Sequence, residues 1–566
     1  MTANQLPYLS RVNGAVRLII NGTPTLLLGG ELHNSSASSL AYMDREVWDR
    51  VEAIGCNMIL PAIGWEQIEP REGEFDFTLI DGLVDQARKR GILLVPLWFG
   101  AYKNAQSNYV PAWVKTDIER FGRAQASPGV RLEAVSVLSN ELRAADAKAF
   151  AAVMRRIREF DQHGRTVVMV QVENEVGMLR GSRDLSPLAQ DAYDADVPRS
   201  LTHYLTANQA TLQPGLCSLW KRHGALTQGS WRDLFGGGPE GDEVFMAWNF
   251  ATYVGAVASA GIAEHPLPMF ANAWLVQNDA QKAGDYPSGG PVAHMIDVWR
   301  AAAPDLAFLA PDIYLPSFEQ VCRHYTVSGN ALFIPEMSRD LSAAAKAFYA
   351  VGEHAAIGVA PFGIDGMEGS EASSAVADPN SVGNPVAALV AGAHAASAPA
   401  PLSPARLLRS AYRLLGDMAP LLQSVDANAV RGFLEDANVA ESPSAIIDLG
   451  DYRITIEWEN VVKAREGRRK PGDPFICGGG LVVRIAPEEY IFAGFGFRVR
   501  FECPGEHGSA VEYLAIDEGD FRVGEWLPGR RLNGDEYRIE LWVGSSGKPQ
   551  VRRVAPYRYP ALTLPD

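Results

Sequence analysis

A (β/α)8 TIM barrel followed by a C-terminal antiparallel β-sandwich is the α/β fold class that the sequence predicts, and three observations predict it. Eight short apolar runs alternate with eight stretches of helical periodicity up to about residue 425, which implies parallel βαβ units. Nearly every apolar run ends in polar or aromatic residues, at the end of the strand where a parallel barrel builds its site. Beyond that point the texture changes to apolar–polar alternation broken by Gly, Pro and Asp, which is antiparallel patterning. A doubly wound open sheet is the alternative. It is disfavoured because GGELHN after the first run does not fit GxGxxG, and no GxxxxGK[ST] loop occurs in the chain. The expected domains are 1–425, a barrel with an N-terminal β-hairpin, and 426–566, a sandwich.

The elements follow in order. Val16–Ile20 and Thr25–Leu28 flank Asn21-Gly22, a hairpin signal, and the second run continues into Glu31, His33 and Asn34. Val47, Trp48, Val51 and Ile54 lie at helical spacing, with Gly55 as the cap. Cys56–Pro61 is the second strand, 79–90 a helix, and Ile92–Pro96 the third strand, which leads to Trp98, Lys103 and Asn104. A helix over 144–163 precedes the fourth strand, TVVMVQVENEVG at 166–177. Its β-branched run reads as a strand buried on both faces, and it breaks into Gln171, Glu173, Asn174 and Glu175. The long excursion 178–265 reads as a functional loop or lid. Met269–Ala273, 306–310, 331–336 and 357–362 are the last four strands, separated by helices over 292–302, 317–328 and 341–353 and followed by a helix over about 404–424. The stretch 391–405, AGAHAASAPAPLSPA, reads as a loop. Strands of the second domain are expected at 452–458, 481–485, 490–501, 511–516 and 537–543.

Composition narrows the function. A chain of 566 residues is too long for one core. Its net charge of −16 argues against nucleic acid and against an anionic membrane surface as partners. Five scattered cysteines without a CxxC pair read as buried thiols. The N-terminus lacks a basic region followed by an apolar core, so a cytoplasmic location is expected for the sequence as written, and a periplasmic one if a signal was removed. No apolar window is long enough to span a membrane. The oligomeric state is left open, a homo-oligomer included.

A buried strand that ends in carboxylates needs water, a partner or a substrate, because an unpaired buried carboxylate costs several kcal/mol or shifts its pKa. Glu175 and Glu336 each close such a strand at the same rim. Two carboxylates facing each other across a cleft can cleave a glycosidic bond: one protonates the leaving oxygen, while the other attacks the anomeric carbon or activates water. Strand alternation, if regular that far, puts Glu173 and Glu175 on one face and Asn174 on the other, so spacing alone leaves Glu173 open as the catalytic acid. Trp65, Trp98, Trp248 and Trp274 are candidate sugar platforms as well as core residues. Glu31, His33 and Asn272 join the candidate substrate contacts from their strand ends, with His33 more readily a rim histidine bonded to a neighbouring acid. Glu69 with Pro70 reads as structural, and Glu368 and Glu371 as solvated. A metal-dependent hydrolase would want several histidines at strand ends, and only His33 qualifies, so neither metal nor cofactor is expected.

QVENEVG at 171–177 resembles the acid/base strand of retaining (β/α)8 glycosidases. The pattern WxxIEPxxGxFDF at 65–77 is similar to the segment after strand two in β-galactosidases of glycoside hydrolase families 35 and 42. The resemblance covers about residues 15–365. It implies that Glu175 is the acid/base, that Glu336 in FIPEM is the nucleophile, that Asn174 holds the sugar 2-hydroxyl and that Tyr314 orients the nucleophile. The implied activity is retaining removal of terminal β-D-galactose from a carbohydrate. Alternatives are another β-glycosidase of the same clan, acting on arabinosides or galactosylated xyloglucan, and a catalytically silent carbohydrate-binding protein. The sequence departs from the commonest family 35 pattern at Val176, where Tyr is usual, in GGELHNSS instead of an ending in His-Tyr-x-Arg, and in its single compact C-terminal sandwich. These departures point toward a smaller bacterial branch, some of whose members act on galactose side chains of plant polysaccharides.

Overall fold

A computed structural model describes residues 6–162, 165–367, 403–436, 444–468, 475–504, 509–539, 541–544 and 548–560. Glu368, Glu371 and most of the stretch 391–405 lie outside the described residues.

Eight parallel strands close on themselves. The first, Leu27–Glu31, pairs with Met58–Leu60 on one side and with the eighth, Gly358–Pro361, on the other. Strands two and three are each split by proline, which has no N–H to give to a ladder. Strand two is Met58–Leu60 and Ala62–Gly64 around Pro61. Strand three is Leu93–Leu94 and Leu97–Lys103 around Pro96, and the pieces pair in register. Val170–Asn174, Met269–Trp274, Phe308–Ile313 and Phe333–Met337 complete the ring. Inward side chains such as Met58, Leu97, Phe270, Phe308 and Phe333 fill the barrel, and Leu18 and Ile20 of the N-terminal sheet join their cluster and plug its floor. That sheet has three strands, because a second turn, Asn13-Gly14, adds Tyr8–Val12 to the expected hairpin.

The excursion after strand four carries five helices. The last, Pro239–Glu264, is the barrel's own fourth helix and packs along Asn140–Phe160. No helix is long and apolar enough to cross a membrane among the described residues. Of the cysteines, Cys56, Cys322 and Cys477 are buried, whereas Cys217 and Cys503 are partly exposed. All five are free thiols, so the expectation of burial fails at two positions.

After helix Pro404–Ser424 come two antiparallel sheets, one of six strands and one of four, with Tyr452, Ile454, Phe492, Phe497 and Val554 among the residues packed between them. Tyr452–Trp458 stands as expected. The expected strand 490–501 divides at Gly496, and 537–543 is helical until Ile539. The six-stranded sheet lies on barrel helix Ala343–His354. A Cβ on Gly432 would stand 2.6 Å from Tyr349 O and Glu353 N, so only glycine admits this approach. Arg431 grips Glu353 with two hydrogen bonds of 2.8 and 2.7 Å.

Candidate active site

At the C-terminal rim of the barrel, five strands bring charged groups to one place. Glu31 comes from strand one, Lys103 from strand three, Asn174 and Glu175 from strand four, Asp312 and Tyr314 from the end of strand six and Glu336 from strand seven. Carboxylate oxygens of Glu175, Asp312 and Glu336 all lie within 4.8 Å of one another. Tyr314 donates its hydroxyl to Glu336 Oε2 at 2.8 Å, and Asn174 Nδ2 donates to Oε1 at 3.3 Å. Two donors aimed at one carboxyl favour its role as an acceptor.

The other three carboxyls are driven toward the neutral form. Burial, and then the charge of Glu336, raises Glu175 to about 8, against the opposing pull of Lys103. Burial with Glu336 and Glu175 nearby pushes Asp312 well above the usual range. Glu31 is fully buried and neither of its oxygens receives a donor among the described residues. Its carboxyl faces Glu336, and burial followed by that neighbour raises it strongly. Burial alone would lower Lys103, but Glu336, Glu175, Glu31 and Asp312 together hold it above its ordinary value.

Three close carboxylates could in principle hold a cation. Here the buried ammonium of Lys103 already supplies a positive charge that faces all three. The arrangement suits proton transfer beside an acceptor carboxylate rather than metal binding.

The face assignment at strand four needs correction. Glu173 and Glu175 do not share a face: Asn174 and Glu175 both enter the site, and Glu173 points out under the helices. The cause is a left-handed kink, with φ of 61° at Glu173 and 47° at Glu175, beside an irregular register against strand three. Glu173 accepts from the backbone N–H groups of Ala101 and Tyr102 at 3.2 and 2.7 Å and lies against Asp146, which Trp98 and Tyr253 also hold, both at 2.8 Å.

Trp98 is therefore no sugar platform. It is 1% exposed, and its indole N–H is spent on Asp146. Trp65 is fully buried and bonded to Glu69 at 2.9 Å, which makes both residues structural. Trp274 is partly exposed and lines a cleft of about 860 Å³ together with Asn34, Lys103 and Asn104. Asn272 is buried behind the carboxyls. It accepts the Glu175 backbone N–H at 3.0 Å and donates to Asp312 at 2.7 Å. His33 sits at the rim, its Nδ1 2.9 Å from Asp365 and its Nε2 accepting from Arg339 at 3.1 Å, the bonded reading weighed for it. In the sequence Lys103 stands out only as a polar residue after the third strand. A lysine closing the apolar run LWFGAY was the available signal, since a charge there must find partners inside the rim.

Residues 17–217 match Glycosyl hydrolases family 35, and residues 408–544 match a domain of unknown function, DUF5597, a match that begins inside helix Pro404–Ser424. The family 35 match spans the first four strands of the barrel. A β-galactosidase of Xanthomonas manihotis is 27% identical over 169 residues, which is 28% of this chain and a quarter (25%) of that protein. Two solved β-galactosidases are similar to this chain at lower identity. The enzyme of Rahnella sp. R3 has TM-score 0.44 and 12% identity over 93% of this chain and 98% of that one. The enzyme of Bacillus circulans sp. alkalophilus has TM-score 0.46 and 10% identity over 94% and 100%.

Proposed function

We propose that this chain is a retaining glycoside hydrolase that removes terminal non-reducing β-D-galactose from oligosaccharides or polysaccharide side chains. Glu336 attacks the anomeric carbon while Glu175 protonates the leaving oxygen. Water, activated by the same Glu175, then releases the sugar from Glu336. The observation that carries the reading is the pair itself. Glu175 holds its proton near neutral pH, within 4.8 Å of a Glu336 whose two oxygens receive donors. Double displacement goes with carboxyls about 5 Å apart and inversion with about 6.5–9.5 Å, and a bound of 4.8 Å on their nearest oxygens favours the first. Asn174 is read as the partner of the sugar 2-hydroxyl and Tyr314 as the group that orients the nucleophile. Glu31 and Trp274 border the glycone and the cleft. Residues 1–425 are read as the catalytic unit and 426–566 as a second domain.

The test is turnover of a panel of aryl glycosides, with and without a chelator, followed by a 2-fluoro galactoside. The reading expects galactoside hydrolysis that the chelator does not touch, with the label on the peptide containing Glu336. Hydrolysis lost to the chelator, or a label on Glu173 or Glu31, overturns it.

A further inference from the structure

The Asn174 amide is held between two groups of opposite hydrogen-bonding character. Lys103 Nζ can only donate, and it donates to Asn174 Oδ1 at 2.9 Å. The Glu336 carboxylate can only accept, and it accepts from Asn174 Nδ2 at 3.3 Å. An amide turned end for end has nearly the same shape, yet it would set its NH2 against an ammonium and its oxygen against a carboxylate. One orientation alone satisfies both neighbours.

We propose that Lys103 is a positioning residue whose ammonium fixes the orientation of the Asn174 amide, so that the amide NH2 faces the nucleophile and the sugar hydroxyl beside it. The inference rests on the retaining-glycosidase reading above. Lys103 is buried, with its ammonium 5.0 Å from the centre of the Phe99 ring, and faces Glu31 from strand one, Glu175 from strand four, Asp312 from strand six, Glu336 from strand seven and the Tyr109 phenol after its own strand. A lysine serving only as a counter-charge would reach one of those carboxylates. The ammonium's direct hydrogen bond among the described residues goes to the amide instead.

The experiment compares full-length wild type, Lys103→Met, Lys103→Gln, Asn174→Ala and Lys103→Met with Asn174→Ala, on an aryl β-galactoside and its 2-deoxy counterpart. Lys103→Met is expected to lose roughly 10–100-fold in kcat/KM on the galactoside, the scale of one hydrogen bond to a charged group. The loss should shrink on the 2-deoxy substrate, and Asn174→Ala should add little to it, because the two residues act through one contact. Lys103→Gln keeps an N–H donor and should recover part of the loss. Equal losses on both substrates, with additive effects of the two substitutions, overturn the proposal. If wild type cleaves neither substrate, the glycosidase reading has failed. The Asn174 side-chain amide resonances, assigned with Asn174→Ala, then still decide: Lys103→Met should shift or broaden them, and unchanged resonances overturn the inference.

Discussion

Asn272 accepts the backbone N–H of Glu175 and donates to Asp312, so one amide ties together the ends of strands four, five and six. The bond anchors the residue whose φ of 47° departs from strand geometry. Asn272→Ala leaves a buried N–H without its acceptor, at a cost of roughly 1–3 kcal/mol. The expected kinetic signature is a fall in kcat with KM little changed, since the Asn272 amide is bonded to Glu175 and Asp312. A rise in KM alone would return it to the substrate contacts.

Glu175→Gln should lose roughly 10²–10⁴-fold on substrates with poor leaving groups, the range of a general acid. Activated aryl glycosides need little protonation, so their glycosylation rate should fall much less. Comparable losses on both would remove Glu175 from the role of acid.

Glu336→Ala should be nearly inactive on every substrate, because the covalent route is gone. Azide should restore turnover with inverted product in Glu336→Ala and with retained configuration in Glu175→Ala. Proton NMR of the glycosyl azides reads the outcome directly.

The general acid must enter the reaction protonated, so the alkaline limb of kcat/KM in wild type should fall as pH rises through about 8. Glu336 is the largest charge that raises Glu175, and removing that charge in Glu336→Gln should move the Glu175 titration to lower pH. Carboxyl 13C NMR would follow it, and a Glu175 titration unmoved by the substitution would refute the coupling.

Gly432→Ala places a methyl group 2.6 Å from Tyr349 O and Glu353 N, neither of which can give way without bending helix Ala343–His354. Overpacking of this kind costs typically ~1–3 kcal/mol. A lower Tm is expected, with the barrel and sandwich melting together. Unfolding in two separate steps would argue that the sheet and the helix are not one packed unit.

Much of the barrel was legible because each strand announces itself locally, as a short apolar run with a polar end between helical periods. Met269–Trp274 and Pro404–Ser424 fall within a residue of where periodicity puts them. The site was legible as far as Glu175 and Glu336 stand at strand ends. What failed depends on contacts that no local pattern carries. The facing of Glu173 and Asn174 was misread because alternation presumes extended backbone, and the chain is left-handed at Glu173. Trp98 looked like a platform from its position, but its partner Asp146 is on a helix 48 residues away. Lys103 gained its meaning only when Asn174 arrived beside it from the next strand.

Helix Ala343–His354 follows the strand of Glu336 and carries the six-stranded sheet on its outer side, with Leu481, Val483, Ile491 and Phe495 of that sheet in the same hydrophobic cluster as Ala345, Phe348 and Val351. A module on a tether can swing toward a polymer and away again, but this one shares an interior with the barrel and is fixed in its bearing to the cleft. Proteolytic removal of the sheet would bare the back of the helix behind Glu336, so a trimmed barrel is expected to forfeit solubility along with turnover.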